Sequence, residues 1–202
     1  MIVTQTLEII SGGGAVRPWN GELCHLFHFS RSIVQQLTVD QQVGRLQSPC
    51  IAYGTIDLIR GGANQAVEGL KDYSVQLRSP FEDVASISGG VWKGQDIFNE
   101  RRNDAIVKLE FAPNTTKLPM HSHSQSDRCI LILSGSGTFE FSPNSTQHDA
   151  QRISRPVKPG CVIAFTRNVV HTFKTKDERL VLLSYHSPFI PLDSPDQFTI
   201  AE

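Results

Sequence analysis

Two histidines separated by a single residue, His121 and His123, constrain the fold of this chain more than any other feature. Side chains of an extended strand alternate between its two faces, so both imidazoles share a face if this segment is a strand. A third histidine, His171, follows a turn signal at Pro159 and Gly160. If a neighbouring strand brings His171 to the same face, three imidazoles can bind one metal ion and leave coordination positions open for water or substrate.

The chain around these histidines has the pattern of short strands separated by turns. Residues 104–111 alternate apolar and polar side chains, and residues 129–133 form an apolar run that ends in the turn signal 134–137, Ser-Gly-Ser-Gly. Residues 138–141 alternate again, and residues 161–165 form another apolar run. Such runs, bounded by glycine turns, predict β-strands, and we therefore expect an all-β fold.

In these residues the chain resembles the cupin superfamily, whose two motifs read Gly-x5-His-x-His-x3-4-Glu-x6-Gly and Gly-x5-Pro-x-Gly-x2-His-x3-Asn. His121 and His123 stand in the first motif, and Gly160 and His171 stand in the second. The resemblance covers residues 88–190 and implies a jelly-roll β-barrel with a single pair of motifs. It also implies that the three histidines are metal ligands.

The chain departs from these motifs at several slots. The glycine slot ahead of the first histidine falls on Asn114 or Thr115, and Thr166 and Asn168 replace the proline and glycine ahead of the third histidine. The final asparagine slot holds Thr175. Asparagine tolerates the left-handed backbone that glycine usually supplies, so we expect the turn before the first histidine to survive.

The carboxylate slot of the first motif leaves the fourth metal ligand open. Counting three residues after His123 gives Asp127, whereas counting four gives Arg128, and only the second count places Gly135 at the expected distance. A cation that points at a dication is unfavourable by Coulomb's law, so Asp127 is the favoured fourth ligand beside the three histidines. Gln125 is a weaker candidate. Arg128 would then pair with an acid or face a substrate carboxylate, which its planar fork suits.

The first 87 residues carry no copy of these motifs. We interpret residues 1–87 as an extension that packs on the barrel or on a dimer partner, and residues 88–202 as the cupin barrel with its C-terminal tail. Residues 5–10 and 24–29 predict short strands, and residues 30–46 predict one short helix.

The C-terminal part predicts a last strand at residues 180–186 and an irregular tail at 188–198 that lies against the barrel. Alternation turns either Tyr185 or His186 toward the interior, and we take Tyr185, with Arg128, as a candidate cavity residue. Residues 142–155 predict an exposed hairpin loop.

Composition excludes some classes of partner. The 202 residues carry a net charge of −1 and no basic stripe, which argues against nucleic acid. No apolar run is long enough to span a membrane, and the N-terminus lacks the pattern of a signal peptide, so cytoplasmic location is expected. The four cysteines are widely spaced and predict free thiols. A homodimer is the expected oligomer, because closed two-fold symmetry is the commonest arrangement.

The resemblance implies several functions without selecting one. The first hypothesis is a metal-dependent enzyme of the iron dioxygenase type that acts on a small organic substrate, with Fe, Mn, Ni or Zn all compatible with the ligands. A three-histidine variant, with Arg128 in the carboxylate slot and Tyr185 in the cavity, would look closer to thiol dioxygenases. The alternatives are a non-catalytic metal- or metabolite-binding cupin and a structural protein whose histidines hold no metal.

Overall fold

A computed structural model describes residues 4–6, 23–46, 49–55, 92–100, 103–142, 152–191 and 194–201. This part of the chain holds one α-helix, α1 (Leu23–Gln42), a short 3-10 helix (Pro195–Gln197) and twelve strands. The strands are β1 (Thr4–Thr6), β2 (Ile51–Thr55), β3 (Trp92–Glu100), β4 (Asp104–Phe111), β5 (His121–Ser122), β6 (Asp127–Ser134), β7 (Gly137–Ser142), β8 (Ile153–Val157), β9 (Cys161–Phe165), β10 (Val170–Thr175), β11 (Leu180–Ser187) and β12 (Thr199–Ile200).

The strands form two sheets that pack as a jelly-roll sandwich. One sheet has seven strands in the order β1-β2-β9-β6-β11-β4-β3, and the other has five in the order β12-β5-β10-β7-β8. All neighbouring strands are antiparallel except β1 and β2, which are parallel. The all-β jelly-roll prediction is confirmed.

Two apolar clusters cover the two faces of the seven-stranded sheet. One lies between the sheets and includes Ile130 and Ile132 of β6, together with Phe139, Ile163 and Phe165. The other lies between the outer face of the sheet and α1, and it includes the alternate β6 residues Cys129, Leu131 and Leu133. Strand alternation thus divides β6 into an inner and an outer face, and both faces are buried.

The helix α1 covers the outer face because its apolar residues recur at helical spacing. Leu26, Phe27, Ile33, Val34 and Leu37 are buried against the sheet. The prediction of a strand at residues 24–29 is wrong, since these residues belong to a helix that begins at Leu23 instead of residue 30. Gly44 ends the helix with a φ of 73°, a left-handed position that glycine adopts without strain.

Left-handed residues also make the turns around the histidines. Asn114 has a φ of 61° and Asn168 a φ of 65°, so both asparagines adopt the conformation expected at the substituted glycine slots. The turn between β6 and β7 contains Gly135, with a φ of 78°. An ideal Cβ there would lie 1.9 Å from the carbonyl oxygen of Arg179, so the turn requires glycine.

The C-terminal tail lies against the sandwich as predicted, but part of it forms a 3-10 helix and a strand instead of an irregular segment. The 3-10 helix precedes β12, which pairs with β5 next to the first histidine. Of the predicted strand at 5–10 the structure describes residues 5 and 6, and most of the loop at 142–155 lies outside the described residues. Within the described chain, no helix is both long and apolar enough to cross a bilayer.

Candidate metal centre

Pairing of two strands of the five-stranded sheet brings the histidines together. His121 of β5 lies opposite His171 of β10, and His123 follows directly after β5. The turn at Asn168 is tied to this end of β5, because its N–H donates to the carbonyl oxygen of His123 at 3.0 Å. The three imidazoles each offer one ring nitrogen, and these nitrogens lie within 4.8 Å of one another. The structure therefore brings together the three histidines that the sequence singled out.

A backbone carbonyl fixes each of the three rings. The Nδ1 atom of His121 lies 3.1 Å from the carbonyl oxygen of Pro119, and that of His171 lies 2.9 Å from the carbonyl oxygen of Val169. His123 Nδ1 lies 2.5 Å from the carbonyl oxygen of Gln197. A carbonyl oxygen only accepts, so Nδ1 must carry the proton in each ring, and Nε2 keeps its lone pair. Outer hydrogen bonds of this kind orient histidines that bind metals.

Burial keeps these imidazoles neutral. It lowers the pKa of His121 to about 4, and the positive charge of Arg128 acts in the same direction. Burial likewise holds the pKa of His123 and of His171 well below the usual value. Neutral imidazole is the form that coordinates a metal, so the rings are ready to bind one at neutral pH.

The donor set fits a divalent transition metal. Bonds of about 2.1 Å to a shared ion would place imidazole nitrogens roughly 3.0 to 3.4 Å apart, and small ring movements bring nitrogens within 4.8 Å to that spacing. Three neutral nitrogen ligands suit iron, manganese, nickel or zinc, and they do not choose among them. The three-histidine group can therefore hold a metal.

Asp127, which the sequence favours as the fourth metal ligand, does not lie with the three histidines. Asp127 stands on the outer face of β6, where its Oδ1 accepts from the backbone N–H of Arg167 at 2.8 Å and lies 3.5 Å from Nε of the same residue. Asp127 is not part of the three-histidine group, and Gln125 is exposed. Arg128, on the inner face, lines the same cavity as the histidines. Asp127 and Arg128 lie on opposite faces because side chains alternate along a strand.

The histidines open into a small and mostly apolar cavity of about 60 Å³. Its polar lining besides the three histidines consists of Arg128, Ser184, His186 and Gln197. Its apolar lining consists of Leu109, Phe111, Leu118, Ile130, Phe165, Phe173 and Phe198. Such a cavity suits a small ligand with few polar groups.

The strand pattern and the metal-ligand geometry agree with a family comparison. The model of a family described as "Cupin domain" matches residues 107–186. Residues 107–186 are a cupin domain. The match begins within β4, ends within β11 and contains all three histidines.

Several solved structures align with about half of this chain at low sequence identity. The capsular polysaccharide assembling protein CapF from Staphylococcus aureus aligns with 56% of this chain and 33% of its own, at 15% identity and a TM-score of 0.47. An oxalate oxidase aligns with 50% of this chain and 53% of its own, at 15% identity and a TM-score of 0.42. Vicilin from Corylus avellana aligns with 50% of this chain and 30% of its own, at 14% identity and a TM-score of 0.41.

These similarities carry no inference about substrate or activity. The chain spans only 30% to 53% of the length of the three proteins. No curated protein sequence matches the chain.

Tyr185 lies outside the cavity of the cupin domain, contrary to the expectation that it is a cavity residue. It belongs to the outer cluster, where its ring contacts Phe27 and its hydroxyl donates to Asp104 Oδ2 at 2.8 Å. Arg31 and Ser187 also donate to this carboxylate, at 3.0 to 3.1 Å. Alternation along β11 gives the inner position to His186 instead, which is buried and lines the cavity.

Sequence reasoning missed the contribution of the C-terminal tail to the cupin site. Gln197 is buried and holds two site residues, since its backbone carbonyl accepts from His123 and its Oε1 accepts from Arg128 Nη2 at 3.2 Å. Phe198 packs against the His121 ring, with a centroid distance of 5.9 Å. No local pattern marks these residues, because their role depends on the path that the tail takes across the sandwich.

Proposed function

We propose that this protein is a metal-dependent enzyme of the dioxygenase type that acts on a small organic substrate. The observation that carries the proposal is the set of three imidazoles, two buried and one half-buried, whose Nδ1 atoms each donate to a backbone carbonyl. This arrangement leaves three Nε2 lone pairs for one ion inside an apolar cavity. It is the donor set of a working site, because three protein ligands leave coordination positions open.

The proposed metal ligands are His121, His123 and His171, without a carboxylate. The engagement of Asp127 with Arg167 on the outer face supports this choice over the four-ligand set that includes Asp127. Bound Fe(II), Mn(II), Ni(II) or Zn(II) would supply a Lewis acid with open coordination positions and, with iron, redox chemistry with O2.

The protein contributes positioning and exclusion of water. The carbonyl partners hold the histidine rings in one tautomer, and aromatic and aliphatic side chains cover most of the cavity. A cavity of about 60 Å³ holds roughly four to six water-sized groups if each takes about 10–15 Å³. The expected substrate is therefore small.

Metal content tests the site itself. The protein is stripped with a chelator, reloaded anaerobically with Fe(II), Mn(II), Ni(II) or Zn(II), desalted and analysed for bound metal. We expect one ion per chain, a loss of most of it in His121→Ala, and no loss in His28→Ala, which removes an exposed histidine of α1. Wild-type protein that retains less than about a tenth of an equivalent of every metal would refute the metal site.

Oxygen consumption separates the enzyme from a binding module. The Fe(II)-loaded protein is tested with small organic acids, thiols, diketones and phenols, and the His121→Ala protein is the blank. Substrate-dependent oxygen uptake in the wild type alone supports the enzyme. Full metal occupancy with no uptake across the panel would favour the non-catalytic cupin that the sequence also allows.

The expected homodimer, the cytoplasmic location and the division of the chain at residue 88 stay predictions. Light scattering of the full chain checks the first, and fractionation of the source cells checks the second. Expression of residues 88–202 alone checks the third.

A further inference from the structure

A buried guanidinium that has no carboxylate partner in the described part of the chain lies beside the three histidines. The Arg128 side chain is almost fully buried, at 1% exposure. Its Nη1 donates to Ser126 Oγ and its Nη2 to Gln197 Oε1, and both acceptors are neutral oxygens. Among the ion pairs of the described residues, none includes Arg128. A buried charge without an opposite charge is costly, so this position favours an anionic ligand.

A buried nitrogen atom that lacks a hydrogen-bond partner among the described residues lies next to Arg128. His186 of β11 is the direct cross-strand neighbour of Arg128 in β6, so both side chains stand on the inner face of the sheet. His186 is 2% exposed, lines the cavity, and its Nδ1 has no hydrogen-bond partner within the described chain. Buried polar groups are nearly always hydrogen-bonded in native proteins, so this nitrogen is a candidate contact for a ligand.

We infer that Arg128 and His186 form an oxyanion-binding subsite, and that the substrate is a small carboxylic acid whose carboxylate binds there. The inference rests on the proposed function, because it takes the three histidines as the reacting end of the same cavity. The planar fork of arginine binds a carboxylate through two parallel hydrogen bonds, and the imidazole supplies a third contact. The phenyl and alkyl side chains of the cavity then cover the carbon atoms of the substrate.

Charge supports the same class of substrate. A divalent metal held by three neutral imidazoles keeps its full charge, and Arg128 adds another positive charge to the same cavity. Among the described residues that line this cavity, none carries a carboxylate. A neutral substrate would leave both charges uncompensated in an apolar environment, whereas an anion that reaches both is attracted by both.

The size of the cavity limits the size of the carboxylic acid that can bind. The cavity holds about 60 Å³, which corresponds to a ligand of roughly four to six non-hydrogen atoms. Propionate and pyruvate fall in this range, and propionamide is a neutral compound of the same shape as propionate. These compounds are therefore the probes of the subsite.

The test measures binding of propionate, pyruvate and propionamide by ligand-observed NMR, on metal-free protein and on Zn(II)-loaded protein. We expect both carboxylates to bind to the loaded wild type, and propionamide to bind at least about tenfold more weakly. Arg128→Met should weaken propionate binding by at least about thirtyfold and His186→Phe by about tenfold. Arg179→Met removes an exposed arginine and serves as the control that keeps wild-type binding.

Folding and zinc content are measured on each variant, so that loss of structure is not mistaken for loss of the subsite. If Arg128→Met does not fold, Arg128→Lys and His186→Phe test the subsite in its place, because each is expected to weaken propionate binding while the fold is kept. Equal binding of propionate and propionamide, or wild-type propionate affinity in the folded Arg128 and His186 variants, overturns the subsite.

Two outcomes separate this inference from the proposed function. Zinc-loaded protein that binds no carboxylate overturns the subsite and leaves the metal site intact. Protein that binds no metal but holds propionate through Arg128 refutes the proposed enzyme and supports the subsite.

Discussion

Acid should unfold the metal-free protein steeply, because the folded structure keeps four of its histidines neutral. Burial lowers the pKa of His121 to about 4 and holds the pKa values of His123, His171 and His186 well below the usual value. In all four, the positive charge of Arg128 acts in the same direction as burial. In the unfolded chain each histidine titrates near 6.5.

The direction of the pH dependence follows from which state binds more protons. Below pH 6.5 the unfolded chain binds protons that the folded protein does not, so the free energy of unfolding falls as the pH falls. The loss from His121 continues to the folded-state value of about 4. Each such histidine contributes about 1.4 kcal/mol per pH unit, so the four together contribute roughly 5 kcal/mol per unit between pH 6 and pH 5. This is comparable to the whole stability of many domains, about 5–15 kcal/mol.

Urea unfolding of the chelator-treated protein at several pH values between about 7 and 5 measures this slope. The range stays above the usual titration of Asp and Glu near 4, so the carboxylates contribute little. His186→Phe should reduce the slope by about 1.4 kcal/mol per unit, because one of the four groups is removed. A wild-type slope of about 1.4 kcal/mol per pH unit or less, which is the contribution of a single histidine, would show that the imidazoles take up protons in the folded state. The argument from burial would then be refuted.

Three further substitutions test the fold and the ligand set. Asp127→Asn should leave the metal content unchanged, and a metal content reduced as strongly as in His121→Ala would refute the three-histidine set. Gly135→Ala should lower the free energy of unfolding in urea by more than about 2 kcal/mol, because a left-handed residue and a backbone clash act together. Gly44→Ala, which is left-handed but meets no atom within 4 Å, should cost only about 1 kcal/mol, and equal losses would contradict the role of the clash. Asp104→Asn should lower the melting temperature, with a loss of about 2–3 kcal/mol from the outer network and no loss of metal; an unchanged melting temperature would count against that network.

The sheet core of this protein is predictable because its strands are short and bounded by clear turns. The predicted bounds 104–111 and 161–165 are those of β4 and β9, and the apolar run 129–133 lies within β6. The convergence of the three histidines also follows from sequence, since a pair at period two and a third histidine after a turn signal need only one strand pairing to meet.

The helix was harder to predict because its first residues favour strands. Residues 24–29 combine cysteine, histidine, leucine and phenylalanine, which reads locally as a short strand. Only when Leu26 and Phe27 are joined to Ile33, Val34 and Leu37 does the helical spacing emerge. Packing of that stripe on the sheet outweighs the local preference.

The tail residues at the site could not be predicted from any local pattern. Gln197 contacts His123 and Arg128 only because the tail crosses the sandwich and β12 pairs with β5. The sequence alone contains no information on this path beyond the general expectation that an apolar tail lies against a core.

The choice between Asp127 and Arg128 depended on the helix, and this explains why residue counting left it open. In a sheet with one solvent-exposed face, alternation of apolar and polar residues tells which face is inside. Here α1 covers the outer face of β6, so Cys129 and Leu131 are buried there just as Ile130 and Ile132 are buried between the sheets. Because both faces are apolar, the strand pattern does not tell which face of β6 points between the two sheets. A shift of one residue would exchange Asp127 and Arg128 without exposing any apolar side chain. Only the covering helix and the opposite sheet together fix the parity, and they turn a cation, not a carboxylate, toward the three histidines.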